Sequence, residues 1–157
     1  FLHFTGSRDA EIVASGTGRF GSAELPDFED FGEILLRSPQ AGGYIRVDWF
    51  TADGLPTWGD GRVTILGTEG TIELRKYVDI AGRSGTDHLF LVDGKGTRHI
   101  DASREPLTYF RNLVGDIADR TETAMPQQHT FTVCRLALEA QAKAARLPAR
   151  TSERALS

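Results

Sequence analysis

The stretch from Gly43 to Tyr77, GYIRVDWFTADGLPTWGDGRVTILGTEGTIELRKY, constrains the fold more than any other part of the chain. Apolar and polar residues alternate in it over Tyr44–Thr51, Val63–Leu66 and Thr71–Val78. Side chains on a strand point to opposite faces in turn, so such runs read as antiparallel strands with one dry and one wet face. The second and third runs flank Gly67-Thr68-Glu69-Gly70 and form a hairpin, whose glycines are expected to supply the positive φ of the turn.

The same signals extend in both directions. Phe1-Leu2-His3-Phe4-Thr5-Gly6 reads as the last turn of a helix closed by a glycine cap, so the chain is expected to be a piece of a longer polypeptide. Ala10–Phe20 begins with strand composition, Ser22–Asp30 is an acidic loop, and Phe31–Arg37 alternates again. His88–Val92 and Thr97–Ile100 flank Asp93-Gly94-Lys95-Gly96 as a second hairpin. The period then changes. Pro106 marks a helix start, and Leu107, Phe110, Leu113, Val114 and Ile117 recur at helical spacing through Arg120. A second helix is expected from about Thr130 to Arg146, burying a face of Phe131, Cys134, Leu138 and Ala142 widened by Leu136, Ala137 and Ala140. Strands followed by terminal helices predict an α+β domain: a mostly antiparallel, open-faced sheet with helices on one side, over residues 1–147, and a polar tail at 148–157.

On that single sheet, Ile45, Val47 and Trp49 should meet Val63, Ile65, Ile72 and Leu74 beneath the helices. The outer face then carries Tyr44, Arg46, Asp48 and Phe50, followed by Arg62, Thr64, Glu73, Arg75 and Tyr77. Aromatics and arginine are enriched at protein interfaces. The same set also suits a solvated face on which opposite charges neighbour one another.

Composition removes several function classes. The 157 residues provide one real core, and a net charge of −4 gives no basic face for nucleic acid. No apolar run has the length of a membrane span. The single cysteine, Cys134, excludes an internal disulfide and points to the cytoplasm.

Candidate chemistry is sparse. Gly16-Thr17-Gly18-Arg19-Phe20-Gly21 matches G-x-G-x-x-G, but an acidic loop follows where a phosphate-binding helix would have to start, so no cofactor site is assigned. His3, His88, His99 and His129 lack metal-ligand spacing, and no nucleophile stands beside a base, so no metal or catalytic residue is assigned either. Trp58 and Asp60, in Thr57-Trp58-Gly59-Asp60-Gly61, are the candidate substrate contacts. An aromatic face suits the C–H groups of a polyol and a carboxylate suits its hydroxyls. The competing reading folds Trp58 back over the core.

The phrase ILGTEGTIEL and the surrounding strand pattern resemble the C-terminal domain of the Gfo/Idh/MocA oxidoreductases, from Phe1 to about Leu147. The resemblance implies a substrate-side and dimerisation domain of an NAD- or NADP-dependent enzyme acting on a sugar, polyol or related small molecule. The dinucleotide and the catalytic Glu-Lys-Pro lysine of such enzymes belong to an N-terminal domain, and their Asp-x-x-x-His pair precedes the region matched here. His3 stands too close to the capping glycine to take that role. The resemblance also implies a homo-oligomer through the open sheet face, with Tyr44, Arg46, Asp48, Phe50, Glu73, Arg75 and Tyr77 at the dimer interface. The alternative is a stand-alone binding or dimerisation module without activity.

Overall fold

The computed structural model describes residues 1–21 and 24–148, so the expected tail lies outside the described residues from position 149 on. The chain is α+β and its strands pair mostly antiparallel, but in two four-stranded sheets where one was expected. Each sheet belongs to its own compact unit. One comprises Phe1–Phe50 with the segment from Thr108 onward; the other comprises Thr51–Leu107.

The first unit contains α1 (Leu2–Thr5), β1 (Glu11–Gly18), β2 (Phe31–Arg37), β3 (Gly42–Asp48), α2 (Tyr109–Asp119), α3 (Gln127–Lys143) and β8 (Ala145–Arg146). Its sheet runs β3-β2-β1-β8, antiparallel except for the parallel β1–β8 pair. Gly6 closes α1 in the left-handed conformation, φ 65°, with its N–H on the helix carbonyls, as the sequence predicts. Ser38 builds the β2–β3 turn: its Oγ accepts the N–H groups of Gln40 and Ala41, both at 3.2 Å.

Helix α3 lies along β1 and buries Thr132, Leu136 and Ala140. Leu136 and Ala140 join Leu2, Ile12 and Leu36 in the core, with Phe1, Ala10 and Ile34 packed at its margin. Of the expected stripe Leu136 and Ala140 are buried, whereas its centre, Phe131, Cys134 and Leu138, is exposed. The small Ala140 lets the helix backbone approach the strand closely enough for Ser15 Oγ to donate to its carbonyl at 2.7 Å. That bond fixes the rotation of the helix on the sheet. Arg146 was expected in this helix; instead the chain leaves it at Ala144 and pairs as β8, Ala145 with Gly16 and Arg146 with Thr17. Likewise α2 starts at Tyr109, after Pro106 and not at it.

The second unit is the meander β4 (Gly61–Leu66), β5 (Gly70–Lys76), β6 (Asp87–Asp93) and β7 (Gly96–Asp101), antiparallel throughout. Register places Val63, Ile65, Ile72, Leu74, Leu89, Leu91 and Ile100 on one face. Arg62, Thr64, Glu73, Arg75, His88, Phe90, His99 and Asp101 lie on the other. The turn chemistry differs from expectation in one hairpin. Gly67 and Gly70 are not among the glycines with positive φ; Gly70 is required because a β-carbon there would stand 2.3 Å from the Val92 carbonyl oxygen. In the other hairpin Gly96 does take positive φ, 119°.

Strands β3 and β4 are edge strands of different sheets, so the expected pairing of Ile45, Val47 and Trp49 with the β4–β5 residues does not form. The segment between them, with Gly54, Pro56 and Gly59, offers no hairpin turn that could set a register. Trp49 was expected in the core and is 61 % exposed. Among the described residues no helix is long and apolar enough to cross a membrane.

Candidate functional site

The seven residues expected at the dimer interface do not share one sheet. Tyr44, Arg46, Asp48 and Phe50 come together on the first unit. Alternation along β3 sends Tyr44 and Arg46 to the face opposite α3, where they pair across the strands with Leu35 and Glu33. Tyr44 donates its hydroxyl to Glu33 Oε2 at 2.9 Å, and this bond to a carboxylate raises the phenol pKa. Arg46 bonds Asp48 at 2.6 Å, and its guanidinium stands 5.2 Å from the Phe31 ring centre and 6.0 Å from that of Phe50. Phe31 and Phe50 stack at 13°, and Phe20 meets both edge-on. The result is an aromatic platform carrying one arginine, with Tyr44 59 % exposed at its margin.

Glu73 and Arg75 come together on the second unit, 2.6 Å apart. Arg75 also lies over Phe90, as does Arg83, at 5.9 and 5.4 Å from the ring centre. Tyr77 does not join them through strand alternation. Strand β5 ends at Lys76, Tyr77 takes φ 78°, and its ring sits 5.5 Å from Lys76 Nζ. Lys76 is bonded to Asp87 at 2.8 Å on the face opposite Arg75. A positive φ at a bulky residue is rare, which explains why alternation misplaced this side chain.

Three arginines on these faces, Arg46, Arg62 and Arg75, each bond a carboxylate two residues away on the same stretch of chain: Asp48, Asp60 and Glu73. In a strand that spacing puts both groups on one face. The second sheet also needs the charge, because Arg62 and Arg75 are directly opposite one another and like charges there repel. Asp60 therefore has a local task. It accepts from Arg62 Nε and Nη2 at 2.9 and 2.5 Å and raises the guanidinium pKa further. Trp58 is 83 % exposed, so it is not folded over a core. Its loop is held by Thr57 Oγ1 donating to the Gly59 carbonyl at 2.9 Å.

Two features escaped sequence reasoning. The first is the His88–His99 contact, Nδ1 to Nε2 at 3.0 Å. Register alone could have found it, since His99 pairs opposite Phe90 and His88 opposite Asp101 on one face. The second is an open cavity of about 220 Å³ in the first unit, lined by Thr17, Glu29, Val47, Trp49 and Gln141 among others. It offers an aromatic ring beside a carboxylate, the chemistry assigned to Trp58 and Asp60. Among the described residues no cluster of three or more histidine, cysteine or acidic side chains could hold a metal.

The glycine motif does not fit a dinucleotide. Gly16 and Gly18 are strand residues paired with Glu33 and Phe31. The space a phosphate would need at Gly18 holds the Phe20 ring, which a β-carbon would meet at 2.6 Å. At Gly16 it holds Leu147 and Glu33, each 3.4 Å from such a carbon.

No protein-family model and no curated protein matches the chain. Solved structures do. A "putative oxidoreductase" from Erwinia carotovora atroseptica SCRI1043 is 44% identical over 94% of this chain, with a TM-score of 0.90. A second "putative oxidoreductase", from Thermotoga maritima, shares the fold over 86% of the chain, with a TM-score of 0.64 and 20% identity. This chain spans 45% of the first and 39% of the second. It is thus an α+β chain similar, over nearly its whole length, to somewhat less than half of a protein described as an oxidoreductase.

Proposed function

We propose that this chain is the substrate-side and dimerisation portion of an NAD- or NADP-dependent oxidoreductase of the Gfo/Idh/MocA type, acting on a sugar, polyol or related small molecule. The observation that carries the reading is the 44% identity, across 94% of this chain, to less than half of an oxidoreductase-named protein. The glycine motif is consistent with it: its backbone is engaged in a sheet and its open side is filled. In this reading the dinucleotide is held by another part of the enzyme. When bound there, the nicotinamide supplies the hydride chemistry. The residues of this chain bind and orient the substrate and hold the twin subunit.

The roles divide as follows. Trp58 offers an exposed ring to the C–H face of the substrate, and Asp60, already oriented by Arg62, accepts from its hydroxyls. The Tyr44–Arg46–Asp48–Phe50 platform meets its symmetry mate, and Glu73, Arg75 and Tyr77 contribute from the second sheet. Arginine stacked on aromatics suits such a surface because the guanidinium keeps its carboxylate partner while its flat face desolvates.

The test is a reductase and dehydrogenase assay of the polypeptide encoded by the complete reading frame, against a panel of sugars and polyols with both dinucleotides. Turnover of at least one polyhydroxy compound is expected. Trp58→Ala is expected to raise KM about tenfold or more, the loss of roughly 1.4 kcal/mol of binding. Turnover only of substrates without hydroxyl groups, or an unchanged KM in the variant, contradicts the assignment.

A further inference from the structure

The open cavity of about 220 Å³ in the first unit has no role in the division above. Register makes its floor. Thr17, Gly32 and Val47 are partners across β1, β2 and β3, so they form one row. Thr17 stands two residues after Ser15, which bonds α3, so the row lies on the helix side of the sheet. Gly32 adds no side chain to it and leaves a trough between Thr17 and Val47; a β-carbon at Gly32 would stand 3.3 Å from Val47 Cγ2. Gln141, beside Ala140 on α3, joins the lining with Glu29 and Trp49. Both of the latter are held in place. The Trp49 N–H donates to the Asp30 carbonyl at 3.0 Å, and Phe28 meets its indole edge-on at 5.6 Å. Glu29 accepts from the Thr17 hydroxyl at 2.9 Å.

Size and charge select the ligand. Pockets for drug-sized ligands run from about 300 to 1,000 Å³, so this cavity suits a single ring. An exposed indole offers a flat apolar surface to ring C–H groups. The Gln141 amide can donate and accept, and a carboxylate accepts about four bonds, of which Thr17 takes one at Glu29. Those groups match a compound carrying several hydroxyls. The other two carboxylates of the lining are engaged: Asp30 accepts from the Phe20 and Gly21 N–H groups, both at 2.8 Å, and Asp48 from Arg46 at 2.6 Å. No lysine, arginine or histidine is among the described residues that line the cavity. An acidic ligand would therefore bring its charge to Glu29 with no cation to balance it. We infer that this cavity binds a single-ring polyhydroxy compound without an anionic group. The site is built by the first unit alone, whereas Trp58 and Asp60 belong to the second, and it needs no dinucleotide.

The experiment titrates glucose and galactose, and the matched acids glucuronate and galacturonate, into the polypeptide of the complete reading frame and into the 157-residue chain. Binding is read from the indole N–H resonance of Trp49 in nitrogen-15 NMR, assigned with Trp49→Ala. Turnover of the same four compounds with both dinucleotides is measured alongside. At least one neutral sugar should shift the Trp49 resonance in the complete polypeptide, and its matched acid should bind at least tenfold more weakly. Glu29→Gln keeps the size of the side chain and removes its charge, so the preference for the neutral sugar should fall below threefold. A Trp49 resonance that no neutral sugar moves, or an acid bound as tightly as its neutral partner, overturns the inference. So does a shift confined to the 157-residue chain, which would give the cavity to another segment of the complete polypeptide. Turnover without a Trp49 shift overturns this site alone and leaves the oxidoreductase reading standing. The expected shift and charge preference without turnover of any sugar uphold the site and count against that reading.

Discussion

His88 Nδ1 and His99 Nε2 lie 3.0 Å apart across β6 and β7, and the other ring nitrogen of His88 faces the Gly85 carbonyl at 3.2 Å. A carbonyl can only accept, so His88 carries its proton on Nε2 and its Nδ1 accepts from His99. His88 is 2 % exposed. The nitrogen-15 spectrum of the imidazoles is therefore expected to show His88 as the Nε2–H tautomer with a hydrogen-bonded Nδ1. His99→Ala removes the donor and should lower stability by about 1–3 kcal/mol. An Nδ1–H tautomer at His88, or an unchanged denaturation midpoint in the variant, contradicts this geometry.

Asp116 ties the end of α2 to the link before α3. Its carboxylate accepts from the Ala124 N–H and the Thr121 hydroxyl at 2.7 Å, and from the N–H and hydroxyl of Thr123 at 2.8 Å. These bonds hold the carboxyl far below the usual carboxylate range. The folded form binds the proton less readily than the unfolded form, so the stabilisation is fully present above about pH 4 and is lost progressively below it. Asp116→Asn should therefore be less stable than the parent chain at pH 7 in urea denaturation, and the gap should narrow at pH 3. A gap that stays constant or widens on acidification contradicts the assignment.

The β4–β5 turn gives a packing prediction. Replacing Gly70 by alanine places a methyl group 2.3 Å from the Val92 carbonyl oxygen, a backbone atom that cannot swing aside. The strand must shift, at about 1–3 kcal/mol. Gly67→Ala meets the Gly70 carbonyl only at 3.3 Å and should be milder. Thermal denaturation of both variants checks the order; equal midpoints would contradict it.

The aromatic platform predicts the mode of assembly. Phe50→Glu puts a carboxylate among Phe20, Phe31 and Arg46, and Tyr44→Glu puts one beside Glu33. Both substitutions are on an exposed face and should leave the circular dichroism spectrum intact while light scattering reports monomers. Dimers of unchanged mass would rule this surface out.

Strand positions and the α+β class were legible because alternation in β2 and the two glycine hairpins is a local signal. The division into two sheets was not, since nothing in the Thr51–Asp60 segment states whether β3 and β4 will pair. The face of α3 was misread for a related reason. Phe131 and Leu138 are the larger side chains, yet the small Ala140 is what lets Ser15 reach the helix backbone. Tyr77 left its expected face because one left-handed φ ends the alternation. Trp58 and Asp60 sit in the expected loop, and the Arg62–Asp60 ion pair is a local contact between residues two apart; the Arg62–Arg75 opposition that it offsets is a cross-strand relation.

The most direct test is calorimetric titration of NAD(H) and NADP(H) into the 157-residue chain and into the polypeptide of the complete reading frame. No binding to the chain and micromolar binding to the complete polypeptide is the predicted result. Micromolar binding to the chain itself, or none to the complete polypeptide, would contradict the view that this domain serves the substrate while the dinucleotide is held elsewhere.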